Sequence, residues 1–192
     1  MGDLDNVTVR GYRMETVSPT IAITSPTSDN KCPANVSPFA IGGWAQDNVA
    51  VTQVTWSNNR GGSGTCTGTN WWDAVVPLQS GQNSITVAAR DAAGNVATDS
   101  VVVTYIPGSP VSILGAKSVA NDTNVYVAAR PVTAVYSDCL YIEEEDRTQG
   151  VKVKPLVMPA GIAIGKKIDF GGQVKTETSG EHYLYGPILI VN

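Results

Sequence analysis

The strongest constraint on this chain is a period of two. Apolar residues recur at alternate positions in short runs, as in Trp72, Ala74, Val76 and Leu78, then Ile85, Val87 and Ala89, then Val101, Val103 and Tyr105. Successive side chains of an extended strand point to opposite faces, so each run describes a strand with one apolar side. The runs end in turn formers such as QSGQN and DAAGN, and 19 glycines and 11 prolines leave few helix-forming stretches. The expectation is an all-β protein of short strands and many turns.

A length of 192 residues accommodates two small cores. Residues 19–106 read as a β-sandwich: Ile21 and Ile23; Phe39, Ile41, Gly43 and Ala45; Val51, Val54 and Trp56; then the three runs above. The stretch SNNRGGSGT between them reads as too flexible for a core element. Residues 107–110, inside Ile106-Pro107-Gly108-Ser109-Pro110, read as a short semi-rigid linker. In residues 111–192 the pattern resumes at Val125 and Val127, Val132 and Val135, Leu140 and Ile142, Val151 and Val153, Ile168 to Val174, and Tyr183 to Val191. Five strands with one longer connection suggest a small barrel. Residues 1–18 carry LDNVTV, which reads as a leading strand or the remnant of a preceding module, with a disordered terminus as the other reading.

The net charge of −4 argues against a nucleic-acid surface, because phosphate binding requires a surplus of Lys and Arg. No run is long enough to span a bilayer, so membrane insertion is not expected. Cys32, Cys66 and Cys139 cannot all pair within one chain and lack metal-ligand spacing. A disulfide between Cys32 and Cys66 is expected; closing a loop of that length contributes about 3 to 4 kcal/mol in the chain-entropy account. Cys139, in SDCLYIE, reads as a small buried thiol.

The segments ITSPTS, AQDNVAVTQVTWSNNRGGSGT, WDAVVPLQSGQNSITVAARDAAGN and TDSVVVTY give residues 19–106 a resemblance to the bacterial immunoglobulin-like domains of secreted glycoside hydrolases and surface proteins. That resemblance implies a sandwich with Trp56 and Trp72 inside, and a role in spacing, presentation or adhesion. The sequence departs from the pattern at Trp44, Trp71, Cys32 and Cys66. The second half resembles the OB-fold domains of secreted bacterial proteins through VAARPVTAVYSDCLYIEEEDRTQGVKV and GIAIGKKIDFGGQVKT. Such barrels take oligonucleotides or oligosaccharides on one face, and fold alone does not decide which.

Reactive groups are sparse. His182 is the single histidine, the nucleophile-elbow pattern is absent, and His182 reads as an exposed strand-edge residue. In Glu143-Glu144-Glu145-Asp146, Glu143 and Glu145 share a strand face, as paired carboxylates would need, but no apolar surroundings are evident to raise one pKa. Asp47, Asp91 and Asn95 read as turn caps rather than calcium ligands. No catalytic residue, metal site or cofactor is therefore expected.

The aromatic residues point elsewhere. With Ile41 and Gly43 facing the core, Trp44 faces outward; with Trp72, Ala74 and Val76 inward, so does Trp71. Their strands are expected to be antiparallel neighbours, placing the two indoles side by side for sugar rings or a covering segment. On the barrel, Tyr141 and Glu143 share the face opposite Leu140 and Ile142, with Lys152 or Lys154 on the next strand. The expected ligand-binding residues are Trp44, Trp71, Tyr141, Glu143 and Lys152. The resulting expectation is a non-catalytic accessory module of an extracellular or cell-surface protein. It spaces and presents neighbouring domains, with polysaccharide as candidate ligand. The alternative is a structural subunit that assembles with its own copies through strand pairing. An enzyme is a distant third.

Overall fold

The computed structural model describes residues 14–191, so the expected strand at Leu4, Val7 and Val9 lies outside the described residues. The first half contains β1 (Thr20–Ser25), β2 (Lys31–Ala34), β3 (Phe39–Gln46), β4 (Val51–Asn58), β5 (Ser63–Thr65), β6 (Trp71–Val76), β7 (Gly81–Asp91) and β8 (Val96–Tyr105). They form two sheets, ordered β1-β3-β6 and β2-β8-β7-β4-β5. The inward residues foreseen from alternation, among them Ile41, Val54, Trp72, Val76, Ile85, Val87 and Val103, make one buried cluster between the sheets. Each such side chain contributes about 1.5 to 3 kcal/mol on leaving water.

Sequence reasoning missed two of these strands. Lys31–Ala34 carries a proline and no alternation, and it runs parallel to β8 at the sheet edge, where a missing N–H is tolerated. The polar segment expected to be flexible turns through Gly61 and Gly62, both at positive φ, and returns as β5 against β4. Trp56 is only partly buried. It leans over Gly64, where an added Cβ would stand 2.8 Å from the indole Nε1, so glycine makes room for the ring. Gly43 is likewise required, because a Cβ there would lie 1.9 Å from the Ala22 carbonyl oxygen across the β1–β3 pair.

Residues 106–112 carry no regular structure, and a short helix, α1 (Ile113–Lys117), follows. Ser112 caps it by accepting from the Gly115 amide at 3.0 Å, and Ile113 and Ala116 are fully buried. Then come β9 (Asn124–Val135), β10 (Leu140–Glu143), β11 (Gly150–Pro155), β12 (Lys167–Thr176), β13 (His182–Gly186) and β14 (Ile188–Val191). Strands β9, β10, β11, β13 and β12 pair in that order, and β12 returns to β9, closing a five-stranded barrel. The β11–β13 pair is parallel. Leu140, Ile142, Val153, Phe170 and Leu184 fill the interior.

The run from Tyr183 to Val191 is two strands. Pro187 divides it, β13 pairing with the end of β12 and β14 with its beginning. Strand β14 thereby approaches β2, and Leu189 packs against the sandwich cluster. At the same junction Pro33 lies against Gly171, where a Cβ would come within 2.6 Å of the proline Cβ. Tyr126 is buried beside it and donates its hydroxyl to Asp169 Oδ2 at 2.7 Å. Burial first, then that carboxylate, holds the phenol well above its ordinary range.

Candidate functional site

The antiparallel β3–β6 register places Trp44 directly opposite Trp71, as the alternation requires. Trp44 also faces Ala22 on β1, and it is partly buried. Trp71 is 77% exposed, which leaves most of an indole face in water. The two tryptophans, with Gln46 and Asn70, border an open hollow of about 300 Å³. Asp73 and Val75 continue the same exposed side of β6. A broad aromatic surface rimmed by amides and one carboxylate can stack on the C–H face of a sugar ring while its hydroxyls bond to the rim.

A second outward-facing row, half-buried rather than open to water, crosses the barrel. Tyr141 on β10 pairs with Lys152 on β11, and Lys152 pairs with Tyr183 on β13. The Lys152 ammonium sits 5.8 Å from the Tyr141 ring centroid, and that of Lys154 sits 4.6 Å from the Tyr183 ring. Tyr136 meets Tyr141 edge to face at 6.1 Å. Lys152 bonds Glu181 at 2.9 Å and Glu177 at 3.2 Å, and Lys154 bonds Glu177 at 2.7 Å. The bond to Glu181, followed by that to Glu177, raises the Lys152 pKa. Bonds from Lys154 and then Lys152 lower that of Glu177. Lys154 was foreseen as the alternative to Lys152, whereas Tyr183 and Glu177 were not singled out from the sequence, although the alternation in HYLYG places Tyr183 outward. Glu143 lies away from this row, bordering a hollow with Glu144, Glu145 and Arg147.

Two of the carboxylates of that hollow have structural partners. Glu144 meets Arg130 at 2.8 Å and accepts the Ile113 amide at 2.6 Å, while Glu145 meets Lys167 at 2.5 Å. His182 is half-buried within the β12–β13 pair, with Nδ1 3.1 Å from the Thr176 hydroxyl, so the exposed-edge expectation is corrected. The turn residues act as caps. Asp47 accepts the Val49 and Ala50 amides, and Asp91 accepts those of Gly94 and Asn95.

The expected Cys32–Cys66 disulfide is also corrected: both thiols are buried and free. Cys32 lies on β2 at one edge of the five-stranded sheet, whereas Cys66 follows β5 at the other and bonds the β4 carbonyl of Val54. Neighbouring strands are about 4.8 Å apart, so crossing the sheet exceeds the ~7 Å Cα limit of a disulfide. Burial pushes the Cys32 thiol up to about 12. Burial, followed by the negative charge of Asp73, pushes Cys66 up to about 11. Cys139 is buried as expected, in the turn just before β10.

Comparison with known proteins identifies residues 19–87 as a match to the family described as bacterial Ig domain. No curated protein sequence matches the chain. Among solved structures, a Cellulomonas fimi endo-beta-1,4-mannanase double mutant is similar at 22% identity and a TM-score of 0.34 over 45% of this chain and 18% of that one. The mixed-linkage glucan utilization locus protein SGBP-B of Bacteroides ovatus, in complex with a mixed-linkage heptasaccharide, is similar at 13% identity and a TM-score of 0.36 over 92% of this chain and 48% of that one. A structure from a 1.5-MDa bacterial ice-binding adhesin is similar at 13% identity and a TM-score of 0.35 over 93% of this chain and 65% of that one. The chain thus spans less than half the length of the first two. Among the described residues no helix is long and apolar enough to cross a membrane.

Proposed function

We propose that this chain is a non-catalytic accessory module of a secreted or cell-surface modular protein, spacing and presenting its neighbours and binding polysaccharide weakly on the Trp44–Trp71 face. The observation that carries this reading is the cross-strand pairing of the two tryptophans on an outward face, with Trp71 largely in water. Keeping an indole exposed forgoes about 1.5 to 3 kcal/mol of burial, which a contact outside the chain recovers. A junction packed through Pro33, Gly171 and Leu189 supports the spacing role, since it limits independent movement of the halves.

The barrel order β9-β10-β11-β13-β12, with β11 and β13 parallel, supports assignment as an OB-type barrel. Its Tyr141, Lys152 and Tyr183 row is then a second, more polar contact surface, and Glu143 borders the separate hollow with Glu144, Glu145 and Arg147. Nucleic acid is disfavoured there because Glu177 and Glu181 neutralise the two lysines.

Affinity electrophoresis in gels containing soluble polysaccharides tests the reading. Retardation by at least one polymer, lost in Trp44→Ala and Trp71→Ala with unchanged thermal melting, is the expected result. Retardation indifferent to both substitutions would remove the tryptophan face from the account.

A further inference from the structure

We propose that the glycan-binding face continues around the residue 66–71 loop into a second subsite, where Arg90 binds the carboxylate of an acidic polysaccharide. This rests on the Trp44–Trp71 reading and narrows its ligand class to uronate-bearing chains. Beyond the loop lies an open hollow of about 590 Å³. Its walls include Thr52, Gln53, Thr65, Thr69 and Arg90, a set of hydroxyls and one amide around a single cation. Arg90 stands opposite Gln53 in the β4–β7 register, so the two side chains project on the same outer face of the sheet. The Arg90 guanidinium makes no ion pair among the described residues. The adjacent carboxylate, Asp91, is committed to the Gly94 and Asn95 amides of its own turn.

The loop joins the two hollows rigidly. Cys66, Gly68 and Thr69 line the Arg90 hollow, and Asn70 and Trp71 line the tryptophan hollow. Thr67 and Asp73 exchange backbone hydrogen bonds at 2.8 and 3.0 Å, and the Asn70 carbonyl accepts the Ala45 amide at 2.9 Å. Gly68 is held at φ +80°, where a Cβ would lie 2.2 Å from the Trp71 carbonyl oxygen. Thr69 and Trp71 are two residues apart, so their Cα atoms stand within ~7 Å of one another. The two hollows open from the outer faces of different sheets, so a glycan that reaches both turns around this loop at the sandwich edge. A planar guanidinium takes a carboxylate through paired hydrogen bonds, and the flanking hydroxyls and amide match a sugar's own hydroxyls. Polyphosphate and nucleic acid are disfavoured, since each needs several cations and the hollow offers one.

The test titrates the whole chain by calorimetry with polygalacturonate, polymannuronate and polyglucuronate, each beside its carboxyl-reduced neutral counterpart. Wild-type protein should bind at least one acidic polymer roughly tenfold more tightly than its neutral partner, with the preference shrinking as salt rises. Arg90→Gln should abolish the preference, Arg90→Lys should keep part of it, and Trp71→Ala should weaken both forms alike. Equal binding of acidic and neutral forms, or a preference that survives Arg90→Gln, overturns the Arg90 assignment and leaves the tryptophan face standing. Absence of binding to every polymer overturns both.

Discussion

The Asp99 carboxylate on β8 accepts the main-chain amide of Ile23 on β1 at 2.8 Å, so a side chain of one sheet closes an edge position of the other. Strand β1 pairs only with β3 at the edge of its sheet, and its free edge lies beside β8 of the other sheet. Ile23 is buried, so without Asp99 its N–H has neither partner nor water. Asp99→Ala should therefore cost about 1 to 3 kcal/mol in urea unfolding. An edge freed in this way is also a template for strand addition, so the variant should form dimers in size-exclusion chromatography as concentration rises. Unchanged stability and a monomer throughout would argue that β1 is held by its β3 pairing alone.

Asn83 is fully buried at the start of β7 with both ends of its amide used. Its oxygen accepts from Asn58 Nδ2 at 3.1 Å and from the Gln79 amide at 3.0 Å, and its nitrogen donates to the Gln79 and Gly81 carbonyls at 2.7 and 2.9 Å. Asn83→Ala strips three bonds from the turn and a fourth from Asn58, which keeps only the Pro77 carbonyl and the Arg60 amide. The expected loss is about 2 to 4 kcal/mol, larger than for truncating the exposed Gln82, measured by denaturant midpoints.

These two side chains mark the limit of what the sequence makes legible. Alternation places Ile41, Trp72, Val87 and Val103 inward, and the same parity puts Trp44 and Trp71 outward, so most of the sandwich follows from local pattern. Alternation also predicts that Tyr141 stands beside Lys152. It is silent on contacts that join elements far apart in the chain, such as Asp99 with Ile23 or Lys152 with Glu177 and Glu181. Strand β2 was hidden because its Pro33 and Cys32 carry no period, and β5 because its glycines accommodate Trp56 instead of packing themselves. The supposed disulfide failed for the same cause: sequence distance between Cys32 and Cys66 says nothing about which sheet edges they occupy.

The barrel should lose stability at both ends of the pH range through the Lys152, Lys154 and Glu177 cluster. Glu177 has a lowered pKa in the folded chain, so its contribution is present above the ordinary carboxylate value and disappears as pH falls through the folded value. Lys152 has a raised pKa, so its contribution is complete below the ordinary lysine value and is lost as pH rises through the folded one. Thermal melting between pH 7 and 3 should fall less steeply in Glu177→Gln than in wild type, after allowance for the shared effect of Asp91 and Asp146. Burial opposes ionisation of Asp91, but its bonds from Asn95 and Gly94 outweigh it and lower the pKa; Thr148 does the same for Asp146. Identical slopes in the two proteins would show that Glu177 is not a linked group.

Thiol chemistry separates the folded chain from one cross-linked between Cys32 and Cys66. Attack on an alkylating agent requires thiolate, and pKa values of about 12 for Cys32 and about 11 for Cys66 leave little of it at neutral pH. Both sulfurs are also buried, and burial raises the Cys139 pKa as well. Native protein should therefore take up iodoacetamide slowly, at a rate governed by local opening rather than by reagent concentration. In denaturant, without reductant, all three cysteines should be alkylated, and intact-mass measurement should show three additions. One addition, rising to three only after reduction, would mean that the sheet edges come together in a way the strand order β2-β8-β7-β4-β5 forbids.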